Sequence, residues 1–180
     1  MKRAFEKVSF EEFAKTISDD EDLYNEYSLP RRATKNSAGY DFFAIQEIVI
    51  KPGEIVKIPT GYKARFNETE ALLLIVRSSM GFKYNVRMCN QVGLIESDYY
   101  DNPSNEGHIY VALQNEGNEE YIIKKGDAYT QGIFINFLTC DDEVNATRLG
   151  GIGSTNKEEK IWKKSFIYQQ QLLIHQANLT

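Results

Sequence analysis

Cysteine, histidine, proline and tryptophan are scarce in this 180-residue chain, and acidic side chains outnumber basic ones. The two cysteines, Cys89 and Cys140, have neither the paired spacing of a thiolate metal site nor a disulfide framework. They read as two reduced thiols filling apolar space. Only two histidines occur, His108 and His175, too far apart in sequence to suggest a His-rich zinc site. Twelve glycines and four prolines are too few for a collagenous or low-complexity chain. The longest apolar run, residues 71–76, falls far short of the roughly 20 residues that cross a bilayer, and the N-terminus alternates charges where a secretory signal would be apolar. A cytoplasmic protein that avoids membranes is the expectation. A net charge of −5 supplies no global positive field to gather nucleic acid, so no direct nucleic-acid binding is expected, and a polyanionic ligand would need local charge to hold it.

What is present is the composition of one soluble domain, 42% apolar and 26% charged, which should bury roughly 70% of its unfolded surface around a single core. Ser9 followed by Glu12 is a capping-box pattern, and Phe10, Phe13, Ala14 and Ile17 recur behind it at helical spacing, predicting a helix over 9–18. The acidic run 19–22 reads as a solvated helix end or loop. From residue 40 to 137 the pattern changes to short stretches rich in Val, Ile, Tyr and Phe: 40–45, 48–50, 55–66, 72–76, 108–113, 121–123 and 133–138. Turn signals such as Lys51-Pro52-Gly53-Glu54 and Asn115-Glu116-Gly117-Asn118 separate them. Many brief strands predict an all-β sandwich or barrel. Beyond a glycine-bearing stretch, the Gln-rich, Gly-free tail carrying Ile161, Phe166, Leu172 and Leu173 predicts a terminal helix.

Four segments carry more than packing. Arg77-Ser78-Ser79 directly follows the apolar strand 72–76, placing a planar guanidinium fork and two hydroxyls at a strand end, a set that suits phosphate oxygens or a plain surface turn. Gly150-Gly151-Ile152-Gly153-Ser154-Thr155 lets backbone N–H groups converge on an anion, but lacks the Lys, strand and helix of a P-loop, and a linker has the same composition. Glu96 and Asp98 put two carboxylates on one side of an extended segment ahead of Tyr99 and Tyr100. Asp41 is a charge set among aromatics, and such an acid needs a partner if it is buried.

In chain order, Ser37-Ala38-Gly39-Tyr40-Asp41-Phe42, Arg77-Ser78-Ser79-Met80-Gly81-Phe82-Lys83, Gly93-Leu94-Ile95-Glu96-Ser97-Asp98-Tyr99, Gly126-Asp127-Ala128-Tyr129-Thr130-Gln131 and Gly150-Gly151-Ile152-Gly153-Ser154-Thr155 resemble the five ordered motifs of the dUTP diphosphatase family. The resemblance spans residues 28–156. It implies an all-β β-clip jelly roll of short strands and leaves both ends uncovered, to which the residue patterns above add an N-terminal helix and a C-terminal helix. The division it suggests is an N-terminal helical extension over 1–27, a β core over 28–147, a Gly-rich arm over 148–156 and a C-terminal extension over 157–180. It further implies a homotrimer with active sites between subunits, and Mg2+-dependent hydrolysis of dUTP to dUMP and diphosphate, which limits uracil incorporation into DNA.

By the same resemblance, Asp41 reaches the metal through water, Arg77 and Ser78 grip the triphosphate with Ser79 beside them, and Gln131 is a polar ligand on the phosphate side. Asn90, Gly93, Leu94 and Ile95 belong to the hairpin that reads uracil. Tyr99 lies beneath the deoxyribose, and Arg148, Ile152, Gly153, Ser154 and Thr155 form the arm over the substrate. Glu96 stands where the family usually has an aspartate base; one extra methylene displaces the carboxylate by up to about 1.5 Å. Ile152 replaces the Phe that covers the base, and Arg148 stands one residue closer to the glycines than is usual. The stretch Asp101-Asn102-Pro103-Ser104-Asn105-Glu106 lengthens the loop after Tyr99 and has the composition of a turn. Two alternatives stand beside this reading: a catalytically impaired nucleotide-binding regulatory protein of the same fold, suggested by Glu96 and Ile152, and a dCTP deaminase of the same superfamily, against which Glu96-Ser97-Asp98-Tyr99 stands where such proteins commonly have Asp-Pro-Gly and an aromatic.

Overall fold

The computed structural model describes residues 2–141, and the fold within them is built from eleven short strands and three short helices. Strands β2 (Tyr40–Phe43), β11 (Ala128–Asn136), β6 (Glu70–Val76) and β8 (Gly93–Glu96) form one sheet in that order; β4 (Ile55–Pro59), β9 (Tyr110–Asn115) and β7 (Val86–Met88) form a second. Two ribbons complete the β structure, β1 (Ala4–Lys7) with β5 (Tyr62–Arg65), and β3 (Ile48–Ile50) with β10 (Tyr121–Ile123). Every strand pair is antiparallel.

The core follows from alternation. Along β9, Val111, Leu113 and Asn115 point inward while Tyr110, Ala112 and Gln114 are half-buried, which is the period of two expected of a strand with one wet face. Phe42, Leu72, Leu74 and Tyr129 from the first sheet share this core with Val86, Met88, Val111 and Leu113 from the second. Buried Asn115 is accommodated because its amide donates to the carbonyls of Ile50 and Glu119 and its Oδ1 accepts from the Gly117 N–H.

The N-terminal segment is more than the expected helix. It contributes β1, then α1 (Phe10–Thr16) and α2 (Glu21–Glu26). Ser9 caps α1 by accepting from the Glu12 N–H, as its pattern predicts. Glu12, however, does not reach back to Ser9. The Ser9 N–H and hydroxyl donate instead to Glu106, far along the chain, while Glu12 faces His108. In the acidic run, Asp20 caps α2 by accepting from the Leu23 N–H. Phe5, Val8, Phe13, Leu23 and Tyr27 all enter the common core, with the Phe13 and Tyr27 rings stacked at 5.4 Å.

Several expectations are corrected. The stretch 55–66 is two strands, broken at Thr60 and Gly61. Gly61 adopts φ +76, and a side chain there would meet Ile45 at 2.7 Å, so only glycine fits. The last core strand is longer and earlier than 133–138. Helix α3 (Ser78–Tyr84) and strands β7 and β8 fall outside the strand-like stretches of the sequence. Cys140 is exposed and does not fill apolar space, whereas Cys89 is half-buried. The predicted C-terminal helix, the arm and the 157–180 extension lie outside the described residues.

Candidate active site

Three strands of the first sheet bring the sequence-predicted phosphate residues to one end. Asp41 on β2 is directly opposite Gln131 on β11, and Gln131 is directly opposite Ile75 on β6, two residues before Arg77. The Arg77 Nε lies 3.6 Å from Asp41 Oδ1; the carboxylate keeps 15% exposure while the arginine side chain keeps 43%, so the acid anchors a guanidinium that still faces solvent. This is the partner that an acid among aromatics requires. The backbone of Asp41 is fixed on its other edge by Arg31, whose N–H donates to the Asp41 carbonyl and whose carbonyl accepts the Asp41 N–H at 2.8 Å. Ser78 and Ser79 open α3 immediately after Arg77 and are both exposed.

Two residues that the sequence did not single out complete this end. Gly39 packs against Gln131 so closely that a Cβ would lie 2.3 Å from its Oε1. Thr130, fully buried, donates its hydroxyl to the Ile75 carbonyl at 2.7 Å and ties β11 to β6 beside Gln131. A glycine inside a motif hints at close approach, but nothing local in the sequence reveals which side chain does the approaching.

Glu96 sits elsewhere. It ends β8 and pairs with Ala71, the second residue of β6. Arg77 is six residues further along, roughly 20 Å at about 3.3 Å per residue. Within one chain, therefore, Glu96 and the Asp41–Arg77–Gln131 group occupy opposite ends of the sheet.

Between β7 and β8 the chain crosses from one sheet to the other through residues 89–92, which expose Asn90, Gln91 and Val92. Gly93 is buried, with Leu74 Cβ 3.0 Å from where its own Cβ would be. Leu94 is exposed and Ile95 half-buried. Tyr99 closes a single 3-10 turn (Ser97–Tyr99) and is drawn inward to 5% exposure. Its hydroxyl donates to the His108 carbonyl at 2.8 Å and accepts from Asn105 at 2.9 Å, so a sugar would meet only what little surface the ring keeps. Arg148, Ile152, Gly153, Ser154 and Thr155 lie outside the described residues.

The inserted loop after Tyr99 is well tied. Asn102 is buried, its Oδ1 accepting from Ser104 and its amide donating to the Tyr99 carbonyl. Lys63 pairs with Asp101 at 2.6 Å, and Tyr100 donates to Glu6 at 2.7 Å, an interaction that pushes the phenol up to about 12.

The fold and the donor set define a class: an all-β protein of jelly-roll type whose sheet end gathers an arginine, two serines, a glutamine and an anchoring carboxylate. A family model described as dUTPase matches residues 25–161. The deoxyuridine 5'-triphosphate nucleotidohydrolase of Lactococcus lactis subsp. lactis is 44% identical over 131 residues, 71% of this chain and 87% of that protein. Its counterpart in Desulfitobacterium hafniense is 38% identical over 136 residues, 71% and 86% of the two chains. The crystal structure of dUTPase from Streptococcus mutans matches with a TM-score of 0.63 at 37% identity, over 77% of this chain and 99% of that one. The dUTPase from phage phi11 of S. aureus has the same fold, with a TM-score of 0.59 at 19% identity, over 81% and 97%. The chain belongs to the dUTPase family.

Among the described residues no helix is long and apolar enough to cross a membrane.

Proposed function

We propose that the chain hydrolyses dUTP to dUMP and diphosphate, by attack of water on the α-phosphorus. The observation that carries this reading is the convergence of Asp41, Arg77 and Gln131 at one sheet end, next to the exposed hydroxyls of Ser78 and Ser79. A half-exposed guanidinium, anchored from behind by a carboxylate, is preorganised to meet phosphate oxygens and to stabilise charge that develops on them.

Glu96 takes the proton from the attacking water as general base. The bond from water oxygen to the α-phosphorus forms as the bridging bond to the β-phosphate breaks, and diphosphate leaves. Because Glu96 and Arg77 are separated by six residues of β6, one chain cannot apply both to the same phosphate. The reading therefore includes a homotrimer in which Glu96 of one subunit serves the Arg77 and Asp41 of another.

Mg2+ fits this donor set. Among the described residues no three His, Cys, Asp or Glu side chains form a cage for a metal ion, and a single carboxylate such as Asp41 suits an ion that retains its waters and binds mainly to substrate phosphates. When bound, the ion would offset triphosphate charge, which a chain of net charge −5 needs.

Asn90 and the backbone over 93–95 read the uracil edge. A site built to hydrogen-bond one base leaves its polar groups unpaired with another, which can give discrimination of about 10⁴–10⁵. The test is diphosphate release from dUTP, dCTP, dTTP and UTP, with Mg2+ and with chelator. Release from dUTP alone, abolished by chelator, is the expected result. Equal hydrolysis of all four, or none of dUTP, overturns the reading.

A further inference from the structure

The turn that joins the two sheets is braced by an arginine side chain that starts in the strand before it. Arg87, at the centre of β7, is paired with Gln114 on β9. Its guanidinium makes four contacts: Nε donates to Glu116 Oε1 at 2.6 Å, Nη2 to Gln114 Oε1 at 2.6 Å, and Nη1 to the carbonyls of Met88 and Cys89 at 3.4 and 3.3 Å. Two neighbouring side chains thus clamp the plane of the fork, and the remaining nitrogen is aimed along the strand at the carbonyls that start the turn.

We infer that Arg87 is a positioning residue that fixes the shape of the 89–92 turn, and through it the base selectivity of the site. This deepens the proposed function and rests on it. The turn needs a brace. It leaves β7 in one sheet and enters β8 in the other, exposes three consecutive residues, and holds Gln91 at φ +63, a left-handed conformation that a residue with a Cβ adopts when its surroundings impose it. The backbone contributes the bond from the Gln91 N–H to the Met88 carbonyl at 3.1 Å and from the Cys89 N–H to the Ala112 carbonyl at 2.9 Å. Arg87 supports the same Met88 carbonyl and also holds that of Cys89, the residue before Asn90. Without the fork, the Met88–Cys89 peptide keeps its bonds to Gln91 and Ala112, but the Cys89 carbonyl is released, the Cys89–Asn90 plane is free to rotate, and the groups on Asn90 and after it no longer present one fixed pattern. A turn that can relax accepts a base whose edge or 5-substituent a fixed turn rejects. Lysine cannot replace the fork, because its ammonium is a single point of charge on a flexible stem.

The test is steady-state kinetics on dUTP, dTTP and dCTP with wild type, R87M and R87K. R87M keeps the apolar stem. The expected result for R87M is a KM for dUTP raised about tenfold with kcat within about twofold, and a kcat/KM preference for dUTP over dTTP and dCTP reduced about tenfold. R87K should restore little of either. A merely structural arginine would lower thermal stability and the active fraction while leaving KM and the preference ratio at wild-type values, and that outcome overturns the inference. Should R87M fail to fold, Q114A, which removes one 2.6 Å clamp on the guanidinium, carries the same expectation at smaller size and the same overturning result. Wild type that releases no diphosphate from dUTP removes the proposed function and this inference with it; active wild type with an unaltered R87M removes the inference alone.

Discussion

Gly39 and Gln131 are in contact at a distance no other residue at position 39 could share: a Cβ there would lie 2.3 Å from the glutamine Oε1 and 3.3 Å from its Cβ. The backbone of Gly39 is not among the left-handed ones, so alanine is allowed by φ and excluded by its neighbour alone. The group that must yield is the far end of a flexible side chain, which moves at little cost to folding. Gly39→Ala is therefore expected to leave Tm within about 3 °C of wild type. Displacing the Gln131 amide by about 1 Å should lower kcat/KM for dUTP by roughly 10- to 100-fold. Differential scanning calorimetry beside diphosphate-release kinetics checks both halves, and an equally active variant would mean that Gln131 does not touch the substrate.

Glu96 ends a strand whose partner is Ala71, so its backbone is set by the β6–β8 ladder. The carboxylate can be altered without disturbing that ladder. Glu96→Gln keeps the size and removes the proton acceptor, and is expected to reduce kcat by at least about 10²-fold. Glu96→Asp keeps the acceptor and retracts it by up to about 1.5 Å. Activity between the two extremes, with dUTP affinity retained by both, is the expected pattern in single-turnover and binding measurements. Wild-type turnover by Glu96→Gln would remove Glu96 as the base.

Most strands of the core were legible because they are made of β-branched and aromatic residues punctuated by Pro, Gly and Asn, β7 and β8 excepted, and the Arg77-Ser78-Ser79 cluster was legible because its residues are contiguous. β1 was not, since Ala4–Lys7 is half charged and gains its strand character only from pairing with β5. The reach-back of the helix cap was predicted from Glu12, three residues away, and is supplied by Glu106 in the inserted loop. Arg87 was invisible for the same reason: its side-chain partners Gln114 and Glu116 are 27 and 29 residues distant. Sequence periodicity reports local bonds, whereas these contacts exist only once distant parts of the chain have come together.

Phe13 shows how far the N-terminal segment is part of the core. Its ring is fully buried, stacked on Tyr27 at 5.4 Å and edge-on to Tyr24 at 5.2 Å. Phe13→Ala removes that area and leaves a cavity, so unfolding free energy should fall by about 3–5 kcal/mol. The corresponding loss in Tm is roughly 10 °C for a chain of this size. KM for dUTP should be unchanged at temperatures where the variant is folded, because the ring does not approach Arg77 or Glu96. Urea denaturation measures the effect, and a loss below about 1 kcal/mol would show that the helices are dispensable to the core.

His108 gives the fold a pH limit whose sign can be worked out. Its Nε2 accepts the Gly61 N–H at 2.9 Å, so the ring proton resides on Nδ1, which faces Glu12 Oε1 at 3.0 Å. Burial lowers its pKa below the ordinary 6.5; the nearby carboxylates of Glu12 and Glu106 oppose that shift without reversing it. The unfolded chain then binds a proton that the folded chain refuses, so the stability due to neutral His108 is fully present above about 6.5 and is lost as pH falls toward the depressed value, by at most about 1.4 kcal/mol per unit. Protonation of Nε2 would also cost the Gly61 bond. Glu6 and Glu106 act in a lower window: the hydrogen bond from Tyr100 holds Glu6 below 4.5, while for Glu106 burial pushes upward and is outweighed by the hydrogen bonds from Ser9 and by Lys63, which leave it below 4.5, so their contribution persists until the solution is more acidic than that. Urea unfolding at intervals from pH 7.5 to 5.0 should therefore show stability declining below about 6.5 in wild type. His108→Gln, less stable at every pH, should give a flatter profile over the same interval. Parallel profiles for the two proteins would place the acid sensitivity in some other group.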